Sequence, residues 1–206
     1  MSLFKLLEGT KLEKIRRKEF VNERALQNLI EENLHILIGV RLIASEYPIP
    51  NGRIDTLGLD EDNTPVIIEY KWKKDLSAIV QGLFYLNWIM ENKKPFESIV
   101  KDKLGKEVNV NWSYQPRLII IAQDFDIKEL SAINLMGPNV ELRKYSLYDG
   151  LFNIENVNIV KDKPSSKIIN DKSSSEIQYN LEHLLNKASP LIQEIFTISR
   201  NRKIVD

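Results

Sequence analysis

Two acids and a lysine stand at a spacing that can support hydrolytic chemistry. Glu69 follows Asp55 by fourteen residues, and Lys71 follows Glu69 by two. The stretch that carries them, GRIDTLGLDEDNTPVIIEYKW from Gly52 to Trp72, reads as a β-hairpin. A first strand over Arg53 to Leu59 enters a polar turn, Asp60 to Thr64, and Pro65 opens a second strand rich in Val, Ile and Tyr. Proline is tolerated there because the first residue of a strand can lack an N–H partner. With the turn centred on Asp62, Asp55 falls directly opposite Glu69, with Cβ atoms roughly 5 Å apart, where like charges repel. Lys71 lies two residues beyond Glu69 and shares its face. Two carboxylates and an ammonium converging where apolar strands would normally pair suit a hard divalent cation such as Mg²⁺ or Mn²⁺. The competing interpretation is a solvated hairpin with incidental charges. Register separates the two, since a slip of one residue would send the acids to opposite faces.

GRID, followed by IEYK at this distance, resembles the core of the PD-(D/E)XK nuclease superfamily, the restriction-endonuclease-like fold. More narrowly, it is similar to the nuclease domain of the mismatch-specific endonucleases called EndoMS or NucS and their uncharacterised relatives, over about residues 20 to 150. Ile54 stands where the superfamily name has proline, a position that varies widely. The resemblance implies that Asp55 and Glu69 hold Mg²⁺ or Mn²⁺, joined by the backbone carbonyl of Tyr70 and by an acid from the first helix, Glu23. It implies that Lys71 orients or activates the attacking water. Gln81 and Tyr85 match the QxxxY pattern that follows the lysine strand in several subfamilies, where the Gln positions the Lys or the scissile phosphate. The implied activity is metal-dependent hydrolysis of phosphodiester bonds in DNA, in a repair setting. DNA is the implied partner, and a homodimer is one assembly left open. Two further readings stay open beside it: a module that keeps the fold without turnover, and a resolvase or restriction component.

The elements that must position these residues are legible on either side. Asn22 is an N-cap candidate for a helix whose apolar stripe runs through Leu26, Ile30 and Leu37. Glu23 projects from the stripe side, whereas Glu31 lies off it and Glu32 faces roughly the other way. Arg41 to Tyr47 is a strand, turned into the hairpin by Pro48 to Gly52, and the family-like phrase ASEYPIPNGRID makes Glu46 a candidate supporting acid near the metal site. After Trp72, Asp75 caps a helix over Leu76 to Glu91, on which the amide of Gln81 wants a partner among apolar neighbours. A lysine-rich connection follows with a helix over Phe96 to Leu104, then LIIIAQ as a buried strand, a helix over Phe125 to Asn134, and a strand over Val140 to Leu147. The expected fold is α/β: a central mixed sheet flanked by helices, with a C-terminal helical appendage. Residues 1–160 form the nuclease-like domain. Residues 161–176, polar and Ser- and Lys-rich, form a linker, and residues 177–206 a helical segment that resembles the start of a further small domain.

Composition narrows the classes. The chain of 206 residues balances 29 Lys and Arg against 29 Asp and Glu, so a nucleic-acid site must be a local patch rather than a global basic field. Lys11, Lys14, Arg16, Arg17 and Lys18 cluster near the N-terminus and read as a solvated helical face or arm. No cysteine is present, which excludes disulfides and thiolate metal sites, and His35 and His183 cannot build a zinc site alone. No apolar run approaches the ~20 residues of a membrane span, and no signal-peptide core precedes the domain, so cytoplasmic residence is the expectation.

Overall fold

The computed structural model describes residues 2–71, 77–133, 135–137 and 139–157. The expected cap at Asp75, the linker and the C-terminal helical segment lie outside the described residues, as does Trp72.

The N-terminal basic stretch forms strands, not a helix. β1 (Phe4–Leu6) and β2 (Leu12–Lys14) make a small antiparallel ribbon, and β3 (Arg17–Lys18) joins the main sheet. Next come α1 (Glu23–Glu32), α2 (Leu34–Ile38), β4 (Arg41–Ile49), β5 (Gly52–Leu59) and β6 (Pro65–Lys71). The Asn22 side chain accepts the Ala25 N–H at 2.8 Å, so α1 starts where its cap residue says it should. β4 runs past Tyr47 to Ile49, because an edge strand can hold Pro48 without forfeiting a ladder bond. The chain then reverses through Asn51, whose φ is +65°. α3 (Ser77–Glu91) and α4 (Lys93–Leu104) lead to β7 (Arg117–Ala122), α5 (Ile127–Ile133), β8 (Val140–Tyr148) and β9 (Leu151–Asn156). α5 begins at Ile127 and not at Phe125, because the Asp126 carboxylate caps it, accepting the N–H groups of Lys128 and Glu129 at 2.8 and 2.9 Å.

The main sheet has the order β3-β8-β7-β6-β5-β4, with β9 also paired to β8. β6, β7 and β8 are parallel, and the remaining pairings are antiparallel. Both faces are covered. Leu26 and Ile30 of α1 pack on Val66, Ile68, Tyr70, Ile119 and Ile121, while the other face meets Tyr85, Ile89, Phe96 and Val100 through Leu57, Ile67, Leu118 and Ile120. β6 is therefore buried at every residue, as expected of a strand inside a doubly covered sheet.

The hairpin register agrees with the turn centred on Asp62: Thr56 pairs with Ile68, Leu57 with Ile67, and Gly58 with Val66. At Gly58 the neighbouring strand approaches so closely that an added Cβ would run into the Val40 side chain and stand 2.9 Å from the Arg41 carbonyl oxygen. Gly58→Ala is therefore expected to lower stability by about 1–3 kcal/mol, the usual cost of overpacking. Urea unfolding measures this, and an unchanged midpoint would remove the close-packing argument.

Candidate metal centre

The regular ladder between β5 and β6 is recorded as far as Thr56 and Ile68. Beyond that pair, side-chain carboxylates engage the facing backbone. The Asp55 N–H donates to Glu69 Oε1 at 3.3 Å, and the Tyr70 N–H donates to Asp55 Oδ2 at 3.1 Å. The two acids thus sit across from one another where the strands part, each satisfied on one side by the other strand's peptide. Alternation puts Asp55 on the face of Leu57, and Glu69 and Lys71 on the face of Ile67, toward α3 and α4.

The opposite face locks this geometry from behind. Gln27 of α1, almost fully buried, donates through Nε2 to the Asp55 carbonyl oxygen at 2.9 Å and to Glu31 Oε1 at 3.0 Å. The Thr56 hydroxyl donates to the same Glu31 oxygen at 2.5 Å and meets the Tyr70 hydroxyl at 3.2 Å. Glu31, off the apolar stripe by helical spacing, is half-buried and belongs to this network. Burial holds the Tyr70 hydroxyl well above its usual pKa, so it acts here as a neutral phenol.

Burial pushes the Asp55 carboxyl up to about 6, against the pull of the Tyr70 N–H. The negative charges of Glu23 and Glu46 add to the rise, while Arg53 opposes it. Glu69 is pushed up to about 9, first by burial and then by the charge of Asp55, with Glu23 and Glu46 contributing. Glu23 is exposed at the first turn of α1, yet both acids feel its charge. Glu46 adopts φ +55° within β4 and binds two guanidinium groups, Arg24 at 3.0 Å and Arg53 at 2.6 Å. Among the described residues, no group of three or more His, Cys, Asp or Glu converges as a ready-made metal cluster. What the structure supplies is the Asp55–Glu69 pair, with hard oxygen donors and a deficit of positive charge.

Gln81 donates to the Tyr85 hydroxyl at 2.6 Å, and this hydroxyl accepts the Arg53 N–H at 3.2 Å. Tyr85 reaches that amide because Gly52 leaves room for its ring: an added Cβ would stand 2.8 Å from Cε1. Gln81 is thereby tied to the strand of Asp55. Lys71 is held elsewhere. Its ammonium, buried, pairs with Glu129 of α5, which is fully buried. Sequence reasoning missed Glu129, although Asp126 and Glu129 have the spacing of a capping box. Trp112 donates to Glu97 at 2.7 Å and packs edge-on against Phe96, with Lys93 over its ring, so it is a packing residue.

A mixed sheet covered on both faces, with an Asp on one strand of a hairpin and Glu-x-Lys on the other, defines the PD-(D/E)XK class of fold. Residues 22–130 match the family model described as the endonuclease NucS C-terminal domain, and the chain belongs to that family. An uncharacterised protein of Haemophilus influenzae is 32% identical over 209 residues, spanning 95% of this chain and 68% of that one. The endonuclease NucS of Pyrococcus abyssi is 36% identical over 72 residues, which are 34% of this chain and 29% of that protein. The crystal structure of a repair endonuclease from the same archaeon has 26% sequence identity and a TM-score of 0.41, covering 62% of this chain and 48% of its own.

Both site acids have pKa values raised above their ordinary 3.8 and 4.5, so the folded state binds their protons more tightly than the unfolded state does. Their contribution to stability is fully present below about pH 4 and is lost as pH rises toward about 9. In a chelator, the Tm is expected to fall between pH 5 and pH 9. Asp55→Asn, which removes the buried charge of Asp55 at a pH where Glu69 still holds its proton, should raise the Tm at pH 8 by about 2–4 °C, corresponding to roughly 1 kcal/mol for a chain of this size. A flat pH profile in calorimetry would contradict the buried pair.

Proposed function

We propose that this chain is a metal-dependent endonuclease that hydrolyses phosphodiester bonds in DNA. The observation that carries the reading is the pair Asp55 and Glu69, facing each other across parted strands with Lys71 on the same face as Glu69. Membership of the family of the endonuclease NucS C-terminal domain supports it. The sequence match covers 29% of the archaeal endonuclease and the structural match 48% of the archaeal repair endonuclease, so the kind of DNA this chain cuts is a property for experiment.

The donor set fits Mg²⁺ or Mn²⁺, because carboxylate oxygens suit hard cations and a bound cation would replace the proton that burial otherwise forces onto Glu69. Asp55 and Glu69 would hold it, with the Tyr70 carbonyl and Glu23 as further oxygen donors. A divalent cation, when bound, supplies neutralisation of phosphoryl charge and a lowered pKa for water. Lys71 would donate hydrogen bonds to the attacking water or to a phosphate oxygen, stabilising charge that develops as the phosphorus–oxygen bond to the leaving group breaks. Gln81, through Tyr85, would fix the strand that presents Asp55.

Arg24 and Arg53 flank the acids. Glu46 engages Arg53 through Nε at 2.6 Å, and the Arg53 side chain is 63% exposed. A fork so placed suits a phosphate of the bound strand.

Labelled single-stranded, duplex, flapped, mismatched and four-way DNAs, incubated with Mg²⁺ or Mn²⁺, test the reading. Cutting should require metal and fall by at least about 10³-fold in Asp55→Ala and Lys71→Ala. Mn²⁺ binding that survives in Asp55→Ala, or an absence of cutting on every substrate, would count against it. Metal uptake near pH 7 should release about one proton, read from calorimetry in buffers of different ionisation enthalpy. Arg53→Gln should weaken DNA binding and reduce the salt slope by about 1, whereas an unchanged slope would exclude a phosphate contact.

A further inference from the structure

Lys71 and Glu129 form a buried ion pair that the reading above does not use. Relative exposure is 5% for Lys71 and 0% for Glu129, so neither charge has water to fall back on. Both oxygens of Glu129 are committed. Oε1 accepts from the Lys71 ammonium, and Oε2 accepts the Asp126 N–H at 2.8 Å. The Asp126 carboxylate returns the bond by accepting the Glu129 N–H at 2.9 Å, so the glutamate is fixed at backbone and side chain alike. Parallel pairing of β6 with β7 places Lys71 beside Ala122, and the turn from Ala122 into α5 brings Glu129 over the lysine.

Stability alone is a poor reason for such a pair. Moving two charges out of water costs several kcal/mol each, and apolar residues of similar volume often serve a core as well or better. A lysine, however, loses more side-chain entropy on being fixed than almost any other residue. A buried lysine needed in one orientation requires a partner that is itself immobile, and Glu129 is such a partner.

We infer that Glu129 is the positioning residue for Lys71, holding the ammonium in the orientation that phosphodiester hydrolysis requires. The inference rests on the nuclease reading. Glu129 itself touches no reacting atom. Its removal should therefore act on turnover through Lys71, and leave metal and substrate binding to the groups around Asp55 and Glu69.

Single-turnover and steady-state cleavage of the preferred DNA by the full chain with Mn²⁺ provide the test. Glu129→Gln should lower kcat by about 10²-fold, the cost of a misplacement of about 1 Å, with KM and calorimetric Mn²⁺ affinity within twofold of wild type. In a Lys71→Ala background, Glu129→Gln should cost nothing more, because the residue through which it acts is gone. Should Glu129→Gln fail to fold, Glu129→Asp carries the same comparison, since it keeps the charge but withdraws it by one methylene. The double variant Lys71→Met/Glu129→Met should fold stably and remain inactive, separating orientation from stability. Cleavage by Glu129→Gln or Glu129→Asp within twofold of wild type overturns the inference, as does a loss that adds in full to that of Lys71→Ala. If wild type itself cuts no DNA while Mn²⁺ binds, the nuclease reading fails first and takes the inference with it. Wild-type cutting matched by the Glu129 variants sinks the inference alone.

Discussion

The site depends on one electrostatic constraint: two carboxylates buried opposite each other at the place where a hairpin ladder gives way. Asp55 and Glu69 can occupy that place only because each replaces a missing strand-to-strand bond with a carboxylate bond to the facing peptide. An antiparallel ladder that continued regularly would have satisfied its own N–H groups and left the acids as bare like charges. Because the strands part, the acids obtain donors, and the ladder obtains acceptors. The arrangement is satisfied in hydrogen bonds and still short of positive charge. That combination is the one a cation-binding site would require.

The remaining architecture keeps this pair from relaxing. A carboxylate at a hairpin end could turn toward solvent, but β6 is central and buried throughout, so Glu69 has nowhere to turn. Asp55 lies nearer the edge and is held differently, by the Gln27 amide gripping its carbonyl oxygen from α1. Tyr85 and Gln81 secure the same strand two residues earlier. α1 therefore contributes from one face and α3 from the other, and the sheet is the plate between them. The mixed topology has a further consequence. The antiparallel side of β6 supplies Asp55, and the parallel side supplies Glu129, so one strand carries two acid partnerships of opposite kind.

What the sequence made legible follows from distance along the chain. The hairpin register could be derived because turn and strands are contiguous, and a polar turn bounded by Pro65 leaves few alternatives. The Asn22 cap, the β-rich run of β6 and the α/β layering were readable for the same reason. Glu129 was not readable as a partner of Lys71, because it lies 58 residues away, beyond a parallel crossover whose register no local signal fixes. Gln27 and Glu31 were passed over since an apolar stripe locates the middle of a helix face and not its flanks, where polar side chains can reach a strand's carbonyl or hydroxyl. The N-terminal basic stretch misled in another way. Its charges read as a solvated helical face or arm, and Leu6 pairing with Leu12 and Arg17 with Tyr148 made strands of it, not a helix.

The charge balance bears on what the acids require. A lysine two residues from Glu69 looks, in sequence, like the natural counterion of the pair. In the fold its ammonium is matched by Glu129, so its positive charge is already answered. Arg53 is similarly engaged by Glu46, and Glu46 and Glu23 both add negative charge that reaches the pair. Asp55 and Glu69 thus meet their charge requirement neither from Lys71 nor in full from Arg53. Near neutral pH the requirement is met by a proton on Glu69, whose pKa is pushed up to about 9 first by burial and then by the charge of Asp55. A divalent cation is the other way to meet it, and under the proposed reading the two compete for the same oxygens. Under that reading, pairing Lys71 with Glu129 keeps the lysine from neutralising the acids itself and would leave that vacancy of charge to a cation.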